Sequence, residues 1–238
     1  MALSGQVAVI TGGTGHLGSV VTLRFLDGGA MVAVPWRHED GWRELEGRLS
    51  EEQRERCLGV RADLTDEEQV RELMGAAAER FGALDILLNL AGAYAFGRRL
   101  WETDAATWER MMAVNLRTAF LCSKHALPAM LKAGRGRIVN VSSKACEDLQ
   151  PGAAAYAVAK AGLLTLTGAL REELKGTGVT VNAVMPSIID TPATRELMPK
   201  ADPAKWVTPE QVADALVALC GDECDGVSGS VLRLFGSL

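Results

Sequence analysis

A tyrosine, a lysine and a serine in the second half of the chain have the spacing of an acid–base site. Tyr156 and Lys160 stand four residues apart, and Ser143 lies thirteen residues before Tyr156. A helix here would place the Lys160 ammonium beside the Tyr156 phenol, because residues i and i+4 share one helix face. A neighbouring cation lowers the pKa of a phenol, which is ordinarily ~10. The spacing predicts proton transfer by Tyr156, with Ser143 holding a substrate carbonyl oxygen. Such a pair also arises where an aromatic ring packs beside a solvated charge, so the rest of the chain must decide.

Composition and charge limit the classes of function. The chain has 238 residues, of which 48% are hydrophobic, and this fits one compact α/β domain over residues 1–238. A net charge of −5 argues against a nucleic-acid or anionic-membrane partner. The N-terminal residues lack a signal-peptide pattern, and no apolar run reaches the roughly 20 residues of a membrane span. We therefore expect a soluble, cytoplasmic protein.

The cysteines do not form a disulfide or zinc pattern. Their odd number and scattered placement favour reduced thiols, and the five are Cys57, Cys122, Cys146, Cys220 and Cys224. Cys220 and Cys224 have a spacing that could serve a metal, but no second cysteine pair completes four ligands. We expect no metal site.

Short apolar runs alternate with longer helical patterns along the whole chain. The alternation predicts a doubly wound parallel sheet of about seven strands with helices on both faces. Strands are predicted at 7–10, 31–34, 58–60, 85–90, 137–141, 179–184 and 230–235. Helices are predicted at 17–26, 42–49, 67–81, 105–132, 153–174 and 209–219.

Polar and glycine residues follow the strands at the edge where such sheets bind ligands. The carboxyl ends of parallel strands meet at one edge, and ligands bind there near the point where the strand order reverses. The residues predicted at this edge are Gly12, Arg37, Asp63, Asn89, Ser143 and Pro186. The proline-rich segment 186–207 is predicted to be a substrate loop.

A glycine-rich turn between the first strand and the first helix predicts a dinucleotide site. The run is Thr11-Gly12-Gly13-Thr14-Gly15-His16-Leu17-Gly18. Glycines let the backbone approach a pyrophosphate, and the helix N-terminus supplies free N–H groups. A nucleoside-triphosphate loop is disfavoured, because Ser19 stands where that motif requires lysine.

Several motifs occur together in the order typical of one enzyme family. They are the glycine turn, Asn89-Leu90-Ala91-Gly92, Asn115, and Ser143 with Tyr156 and Lys160. With these motifs the chain resembles the classical short-chain dehydrogenases/reductases from about Gln6 to about Gly236, and it is similar to members of the 3-oxoacyl-[acyl-carrier-protein] reductase type. The resemblance implies a Rossmann-type fold and hydride transfer between a nicotinamide cofactor and a carbonyl or secondary alcohol.

One departure from the classical pattern concerns the glycine turn. The classical spacing is TGxxxGxG, but His16 occupies the middle glycine position and Gly15 precedes it. The resulting TGxxGxxG resembles extended members, many of them epimerases and dehydratases on nucleotide sugars. Those members carry a larger C-terminal substrate domain, so the classical assignment is retained. We expect His16 to cap or line the phosphate turn.

The end of the second strand predicts the cofactor preference. An acidic residue there binds the ribose hydroxyls of NAD, whereas an arginine binds the 2′-phosphate of NADP. Trp36 occupies the acidic position and Arg37 follows it, so NADP(H) is predicted with NAD(H) possible. Arg37 would bind the phosphate and Trp36 would lie against the adenine, unless Arg37 is a solvated loop charge.

The resemblance implies the other cofactor contacts and the roles of the catalytic residues. Asp63 and Leu64 would meet the adenine, although Asp63 could equally cap a helix. The remaining implied cofactor contacts are Gly12, Thr14, Gly15, His16, Leu17, Gly18, Asn89, Ala91, Gly92, Tyr156, Lys160, Pro186, Ile189 and Thr191.

For catalysis, the resemblance implies that Lys160 lowers the Tyr156 pKa and binds the nicotinamide ribose. Ser143 would donate to the substrate carbonyl oxygen, and Ser142 is its rival, pointing elsewhere because strand side chains alternate. Asn115 would hold a water linking Lys160 to solvent. Alternatively, Asn115 makes a capping or interhelical bond, since an amide in an apolar helix needs a partner.

The substrate is not encoded in a readable pattern. Tyr94, Phe96, Leu149, Met198 and Trp206 predict an apolar pocket for a small-molecule ketone, including 3-oxoacyl groups, with Lys144 and Glu147 near its mouth. Two other functions remain open: a nucleotide-binding redox sensor without turnover, and an epimerase or dehydratase. The apolar helices 105–132 and 153–174 and the last strand predict a homodimer or homotetramer.

Overall fold

Seven parallel strands form the centre of the protein in the computed structural model, which describes residues 3–237. The strands are β1 (Val7–Thr11), β2 (Met31–Trp36), β3 (Cys57–Arg61), β4 (Ile86–Asn89), β5 (Gly136–Val141), β6 (Val179–Pro186) and β7 (Val231–Leu234). Their order in the sheet is β3-β2-β1-β4-β5-β6-β7. The predicted doubly wound, Rossmann-type α/β fold is confirmed.

The central strands are mostly apolar because both of their faces are covered. Every residue of β1, β4 and β6 is buried. The register places Ile10 opposite Leu88 and Val139 opposite Asn182. Near-continuous apolar runs are the pattern of parallel sheets with helices on both faces.

The helices form one layer on each face of the sheet. They are α1 (His16–Asp27), α2 (Glu39–Gly47), α3 (Glu51–Glu55), α4 (Glu67–Phe81), α5 (Ala105–Met112), α6 (Thr118–Ala133), α7 (Ala154–Glu173), α8 (Pro192–Leu197) and α9 (Pro209–Cys220). Phe25 of α1 and Leu216 of α9 pack in the core on one face. Leu73 of α4, Met130 of α6 and Leu170 of α7 pack in the core on the other.

The single helix predicted over 105–132 is wrong in one respect. The structure divides it into α5, a π-helical segment at Ala113–Arg117, and α6. The buried Asn115 lies in this π segment, and its amide donates to the Met111 carbonyl at 3.1 Å. Apolar periodicity does not show such a bulge, and π bulges frequently mark functional sites.

Two further helices were not predicted from the sequence. Helix α3 is short and begins at a capping box, in which Ser50 and Gln53 each accept from the other's backbone N–H. Helix α8 lies inside the predicted substrate loop 186–207 and begins with Thr191 accepting from the Thr194 N–H. The loop is therefore partly helical rather than irregular throughout.

The strand order reverses between β1 and β4, and one side chain fixes the two strand ends together. The Thr11 hydroxyl donates to the Leu88 carbonyl at 3.1 Å. The same oxygen accepts from the N–H groups of Leu90 and Ala91 at 3.0 and 3.1 Å. This switch point is where open α/β sheets bind ligands.

Candidate active and cofactor site

Four polar residues from three elements meet at the carboxyl edge of the sheet. Ser143 follows β5, Tyr156 and Lys160 lie on α7, and Asn115 lies in the π segment. We call these four residues the polar cluster. Ser143 lies close enough to the Tyr156 phenol to lower its pKa, and the Lys160 Nζ lies 5.9 Å from the centre of the Tyr156 ring. The structure thus brings together the residues whose spacing predicted acid–base chemistry.

Lys160 is held by two hydrogen bonds inside the protein. Its side chain is 5% exposed and its Nζ donates to the Val141 carbonyl at 2.9 Å. The Ser142 hydroxyl donates to the Lys160 carbonyl at 2.8 Å. Burial penalises the ammonium and lowers the pKa of Lys160 from 10.5 to about 8. Ser142 and Ser143 therefore have separate positions, Ser142 against the α7 backbone and Ser143 against Tyr156.

The protonation of Tyr156 differs from the sequence-based expectation. Burial raises the pKa of Tyr156 above its ordinary value of 10.0, while the nearby Ser143 hydroxyl lowers it. The Lys160 Nζ donates to the Val141 carbonyl and lies 5.9 Å from the centre of the Tyr156 ring, so it does not hydrogen-bond the phenol directly. In this structure the phenol is protonated at neutral pH, which is the form that can donate a proton.

Asn115 joins the polar cluster to the segment that follows β4. Its side-chain amide donates to the Ala93 carbonyl at 3.0 Å, and its Oδ1 accepts from the Ala93 N–H at 3.1 Å. A Cβ on Gly92 would lie 2.6 Å from Asn115 Oδ1 and 3.2 Å from Lys160 Nζ. The missing Cβ of Gly92 thus lets Asn115 and Lys160 approach this backbone. Asn115 bonds to the backbone of the segment after β4 and not in the capping or interhelical way of the alternative, and its water-holding role stays a prediction.

The glycine turn has the shape that a dinucleotide requires. Gly12 has a positive φ of 68°, and a Cβ on it would lie 3.0 Å from the Ala91 backbone. A Cβ on Gly18 would lie 1.9 Å from the Gly12 carbonyl oxygen. Helix α1 begins after Gly15, which has no side chain to cap it, so the first N–H groups are left for an anion. The residues present fit a pyrophosphate.

One of the two expectations for His16, that it caps the turn, is wrong. It is the first residue of α1, the N-cap is Gly15, and the His16 side chain is exposed. His16 instead lines a cavity of about 390 Å³ beside the turn, together with Thr14, Arg48 and Thr191. The second expectation, that His16 lines the region of the turn, agrees with this position.

The end of β2 carries the residues predicted to distinguish the two cofactors. Trp36 is the last residue of β2 and is half-buried, and its enclosed indole N–H has no acceptor among the described residues. Arg37 follows it, is exposed, and donates from Nε to His38 Nε2 at 3.2 Å. Arg37 also lies near enough to Asp63 to lower the pKa of that carboxyl.

Asp63 closes a turn rather than capping a helix. Its Oδ1 accepts from the Thr65 N–H and hydroxyl at 2.9 and 2.7 Å, and these bonds are the main cause of its lowered pKa. The cap of α4 is Asp66, which accepts from the backbone of Glu68 and Gln69. The helix-cap alternative for Asp63 is therefore wrong.

The other predicted cofactor contacts have mixed surroundings. Leu17 and Ile189 pack partly into the core on one face, and Leu64 packs partly into the other. Asn89 ends β4 and donates to Asn140 Oδ1 at 2.8 Å. Pro186 ends β6, buried. All lie at or near the carboxyl edge of their strands.

A polar chain beneath the cluster was missed at the sequence level. Asn140 accepts from Asn89 and donates to Thr167 Oγ1 at 2.9 Å, and Thr167 donates to the Leu163 carbonyl at 2.8 Å. This chain ties β4 and β5 to α7. Its signal was present, because an asparagine within the apolar β5 needs a buried partner.

For four of its five residues the predicted apolar pocket stays a prediction. Tyr94, Phe96, Leu149 and Met198 are exposed. Trp206 is buried and is not available to a substrate, so that prediction was wrong. The charged residues at the mouth are paired: Lys144 with Asp148 at 3.3 Å, and Glu147 with Arg233 at 2.7 Å.

Residues 3–237 offer neither a metal site nor a membrane-spanning helix. No cluster of three or more histidine, cysteine or acidic side chains there is placed to bind a metal ion. Within the same residues, no helix has the length and apolar character needed to cross a bilayer. All five cysteines are free thiols.

The fold and the site define an α/β protein with a dinucleotide-type glycine turn beside a Ser-Tyr-Lys cluster. The chain belongs to the short chain dehydrogenase family, whose family model matches residues 6–202. It is therefore an oxidoreductase of the short-chain dehydrogenase/reductase class. Membership implies binding of NAD(P)(H) and action on small molecules.

Three relatives match nearly the whole chain. The chain is 35% identical to cis-4-hydroxycyclohexanecarboxylate dehydrogenase of Sinomonas cyclohexanicum, over 99% of this chain and 97% of that protein. It is 33% identical to 3-oxoacyl-[acyl-carrier-protein] reductase FabG of Thermotoga maritima, over 100% and 99%. It is also 33% identical to (2S)-[(R)-hydroxy(phenyl)methyl]succinyl-CoA dehydrogenase subunit BbsD of Thauera aromatica, over 99% and 97%.

Proposed function

We propose that this protein is an NADP(H)-dependent carbonyl reductase or secondary-alcohol dehydrogenase in which Tyr156 is the general acid and base. The observation that carries the proposal is the closeness of Ser143 to the Tyr156 phenol, with Lys160 buried beside the ring. A carbonyl oxygen placed between the two hydroxyls would accept from both. The names of the three relatives each specify a hydroxy compound or an oxoacyl group, which supports this substrate class.

Each residue of the polar cluster has one task in the proposed mechanism. When bound, the nicotinamide supplies a hydride to the carbonyl carbon or takes one from the alcohol carbon. Ser143 donates to the carbonyl oxygen and polarises it. Tyr156 gives its proton to that oxygen as the carbonyl becomes an alcohol, and takes it back in the reverse direction. Lys160 stabilises the resulting phenolate and holds the cofactor ribose.

Asn115 has a different task from the other three residues. Its side chain is occupied by Ala93 and Met111, so it fixes the backbone beside Lys160 instead of reaching the substrate. The π segment in which it lies changes the backbone bonding beside Lys160. We propose that this change helps to hold a water molecule, which returns protons from solvent to Lys160.

The proposed preference for NADP(H) depends on the end of β2. Arg37 is exposed there and no acidic residue occupies the position of Trp36. A guanidinium binds a phosphate through charge-assisted hydrogen bonds.

Parallel titrations with NADPH and NADH, followed by tryptophan quenching, test this preference. Charge-assisted bonds contribute about 1.5–3 kcal/mol, so Arg37→Ala should weaken NADPH binding about tenfold or more and leave NADH unchanged. Arg43→Ala is the matched control, because Arg43 is an exposed α2 arginine paired with Glu39. Equal weakening by both variants, or tighter binding of NADH, would contradict the proposed role of Arg37.

A panel of ketones tests the reaction and separates it from the two alternatives. A reductase oxidises one NADPH for each alcohol formed. A redox sensor would bind NADPH without oxidising it. An epimerase or dehydratase would form product with no net loss of NADPH. Either of the last two results would replace the proposal.

We further propose a cytoplasmic homodimer or homotetramer. Support for the location comes from the five free thiols. An apolar groove between α6 and α7, lined by Leu116, Phe120 and Leu166, supports the assembly. Phe120 is 47% exposed, and Leu232 on the edge strand β7 is 37% exposed. The mass in solution tests the assembly, and a monomer at working concentration would contradict it.

A further inference from the structure

A short segment between β4 and α5 is fixed at two points and carries two exposed aromatic rings between them. At one end the Ala93 backbone donates to and accepts from the Asn115 amide at 3.1 and 3.0 Å. At the other end the Gly97 N–H donates to the Gly152 carbonyl at 3.2 Å. A Cβ on Gly152 would lie 3.1 Å from the Gly97 nitrogen, so the two backbones are in close contact.

The two rings between these anchors, Tyr94 and Phe96, form a continuous surface with the proposed general acid. We call them the aromatic pair. The Tyr94 ring meets the Tyr156 ring edge-on, with centres 4.9 Å apart and an angle of 87°. The Phe96 ring lies parallel to Tyr94, with centres 6.1 Å apart and an angle of 8°. Both geometries are favourable for aromatic pairs.

The aromatic pair is exposed although it is fixed. Tyr94 is 52% exposed and Phe96 is 57% exposed. Exposed apolar rings on a mobile loop would have no preferred partner, but here the anchors at Ala93 and Gly97 set the direction of the rings. Stacking of a ligand ring on them costs little ordering entropy, because the surface is pre-organised.

We propose that the aromatic pair selects substrates whose carbonyl carries a flat aromatic ring a few bonds away. This inference rests on the proposed function, because it places the carbonyl oxygen between Ser143 and Tyr156. A carbonyl held there has its substituents next to whatever surrounds the Tyr156 phenol. Tyr94 is the ring that stands there, so the substituent stacks on Tyr94 and extends toward Phe96.

Two matched ketones test the inference: 4-phenylbutan-2-one and 4-cyclohexylbutan-2-one. They share the carbonyl, the spacer and the number of ring carbons, and they differ in the flatness and π character of the ring. Aromatic pairs contribute beyond buried area by an amount that corresponds to about 3–10-fold in kcat/KM. The wild-type protein should prefer the phenyl ketone by that factor.

Variants at Tyr94 separate a specificity role from a general effect on the site. Tyr94→Ala should bring the ratio of the two kcat/KM values close to one. Tyr94→Phe should keep the wild-type ratio, because it keeps the ring and removes only the hydroxyl. Trp101→Ala is the control, since Trp101 is 81% exposed and lies beyond the Gly97 anchor; it should also keep the ratio.

The outcomes distinguish the inference from the function on which it rests. Turnover of both ketones with a wild-type ratio near one, or a ratio that Tyr94→Ala leaves unchanged, would overturn the aromatic selection and leave the reductase proposal in place. A Tyr94→Phe variant that loses the ratio would also overturn it, by assigning the effect to the hydroxyl. Binding of NADPH with no turnover of any ketone would overturn the proposed function and the inference together.

Discussion

The polar cluster and the aromatic pair are neighbours at the sheet edge, but they are held in opposite ways. Lys160 and Asn115 are 5% and 1% exposed, and their polar side-chain atoms bond to backbone groups. Tyr94 and Phe96 are more than half exposed, and only the backbone on either side of them is fixed. Tyr156 is the residue that both regions touch.

This difference assigns the proposed acid–base chemistry to the buried polar cluster and the proposed substrate selection to the exposed aromatic pair. A buried polar group without a partner costs about 1–3 kcal/mol, so each residue of the polar cluster constrains several neighbours. An exposed ring has no such requirement and can change with little effect on stability. Substitutions in the buried region should therefore affect folding and turnover together, whereas substitutions in the exposed region should affect selectivity alone.

The largest effect on cofactor binding is expected at the glycine turn. Gly18→Ala would place a methyl 1.9 Å from the Gly12 carbonyl oxygen, so the turn must move. Overpacking costs about 1–3 kcal/mol, and displacement of the turn should weaken NADPH binding about 100-fold. Calorimetric titration measures the binding.

The control for this glycine lies in α4. Gly75 is exposed and a Cβ on it would meet nothing within 4 Å. Gly75→Ala should therefore stabilise the helix by about 0.5–1 kcal/mol and leave binding unchanged. Similar binding losses for the two variants would show that the close contact at Gly18 is not the reason.

The next effect concerns the dependence of stability on pH. The folded-state pKa of Lys160 is about 8, below its ordinary value of 10.5, so the unfolded chain binds more protons between these values. Stability should therefore rise with pH across this window, by about 3 kcal/mol from this residue. Lys160→Met removes the titrating group and should lack this rise.

Urea unfolding of the wild-type and Lys160→Met proteins from pH 7 to pH 11 measures the difference. As pH rises, the free energy of unfolding of the wild type should increase relative to that of Lys160→Met. Parallel curves would mean that the Lys160 ammonium is not penalised by burial.

A smaller effect is expected at Asn115, which belongs to the polar cluster and bonds to the Ala93 anchor of the aromatic pair. Asn115→Leu would leave the Ala93 N–H and carbonyl without their partner, at a cost of about 1–3 kcal/mol in the free energy of unfolding. Because Ala93 is one anchor of the aromatic pair, the phenyl-to-cyclohexyl ratio should also fall. Loss of stability with an unchanged ratio would show that Ala93 does not position Tyr94.

The smallest effect is expected at the exposed rim. Leu197 at the end of α8 is 71% exposed. Leu197→Ala should change the free energy of unfolding by less than about 0.5 kcal/mol. A loss comparable to that of Asn115→Leu, measured by urea unfolding, would mean that the rim is part of the core.

Much of the fold could be predicted from the sequence because its determinants are local. The apolar runs of β1 and β6 and the helical pattern of α4 are periodic signals, and α4 has the predicted bounds Glu67–Phe81. The π segment could not be predicted, because apolar periodicity does not show a bulge and the Asn115 partner Ala93 lies 22 positions away in the chain. Trp206 was wrongly assigned to the pocket for a similar reason. The sequence of a loop does not show whether an aromatic side chain faces the core or the solvent.

The candidate site shows the same limit. The types and order of Ser143, Tyr156 and Lys160 indicated the cluster. The direction in which the Tyr156 pKa shifts could not be predicted without knowing how deeply Tyr156 is buried and where the Lys160 Nζ lies. The aromatic pair was visible as two residues of an apolar pocket. Their stacking and their anchors were not, because both depend on contacts with distant residues.

Tyr156→Phe tests the central claim most directly. The variant keeps the ring against Tyr94 and removes only the proton donor. General acid–base catalysis contributes about 10²–10⁴-fold, so kcat for ketone reduction should fall by that factor while the dissociation constant for NADPH stays within about twofold. Retained turnover with unchanged NADPH binding would contradict the assignment of Tyr156 as the general acid and base.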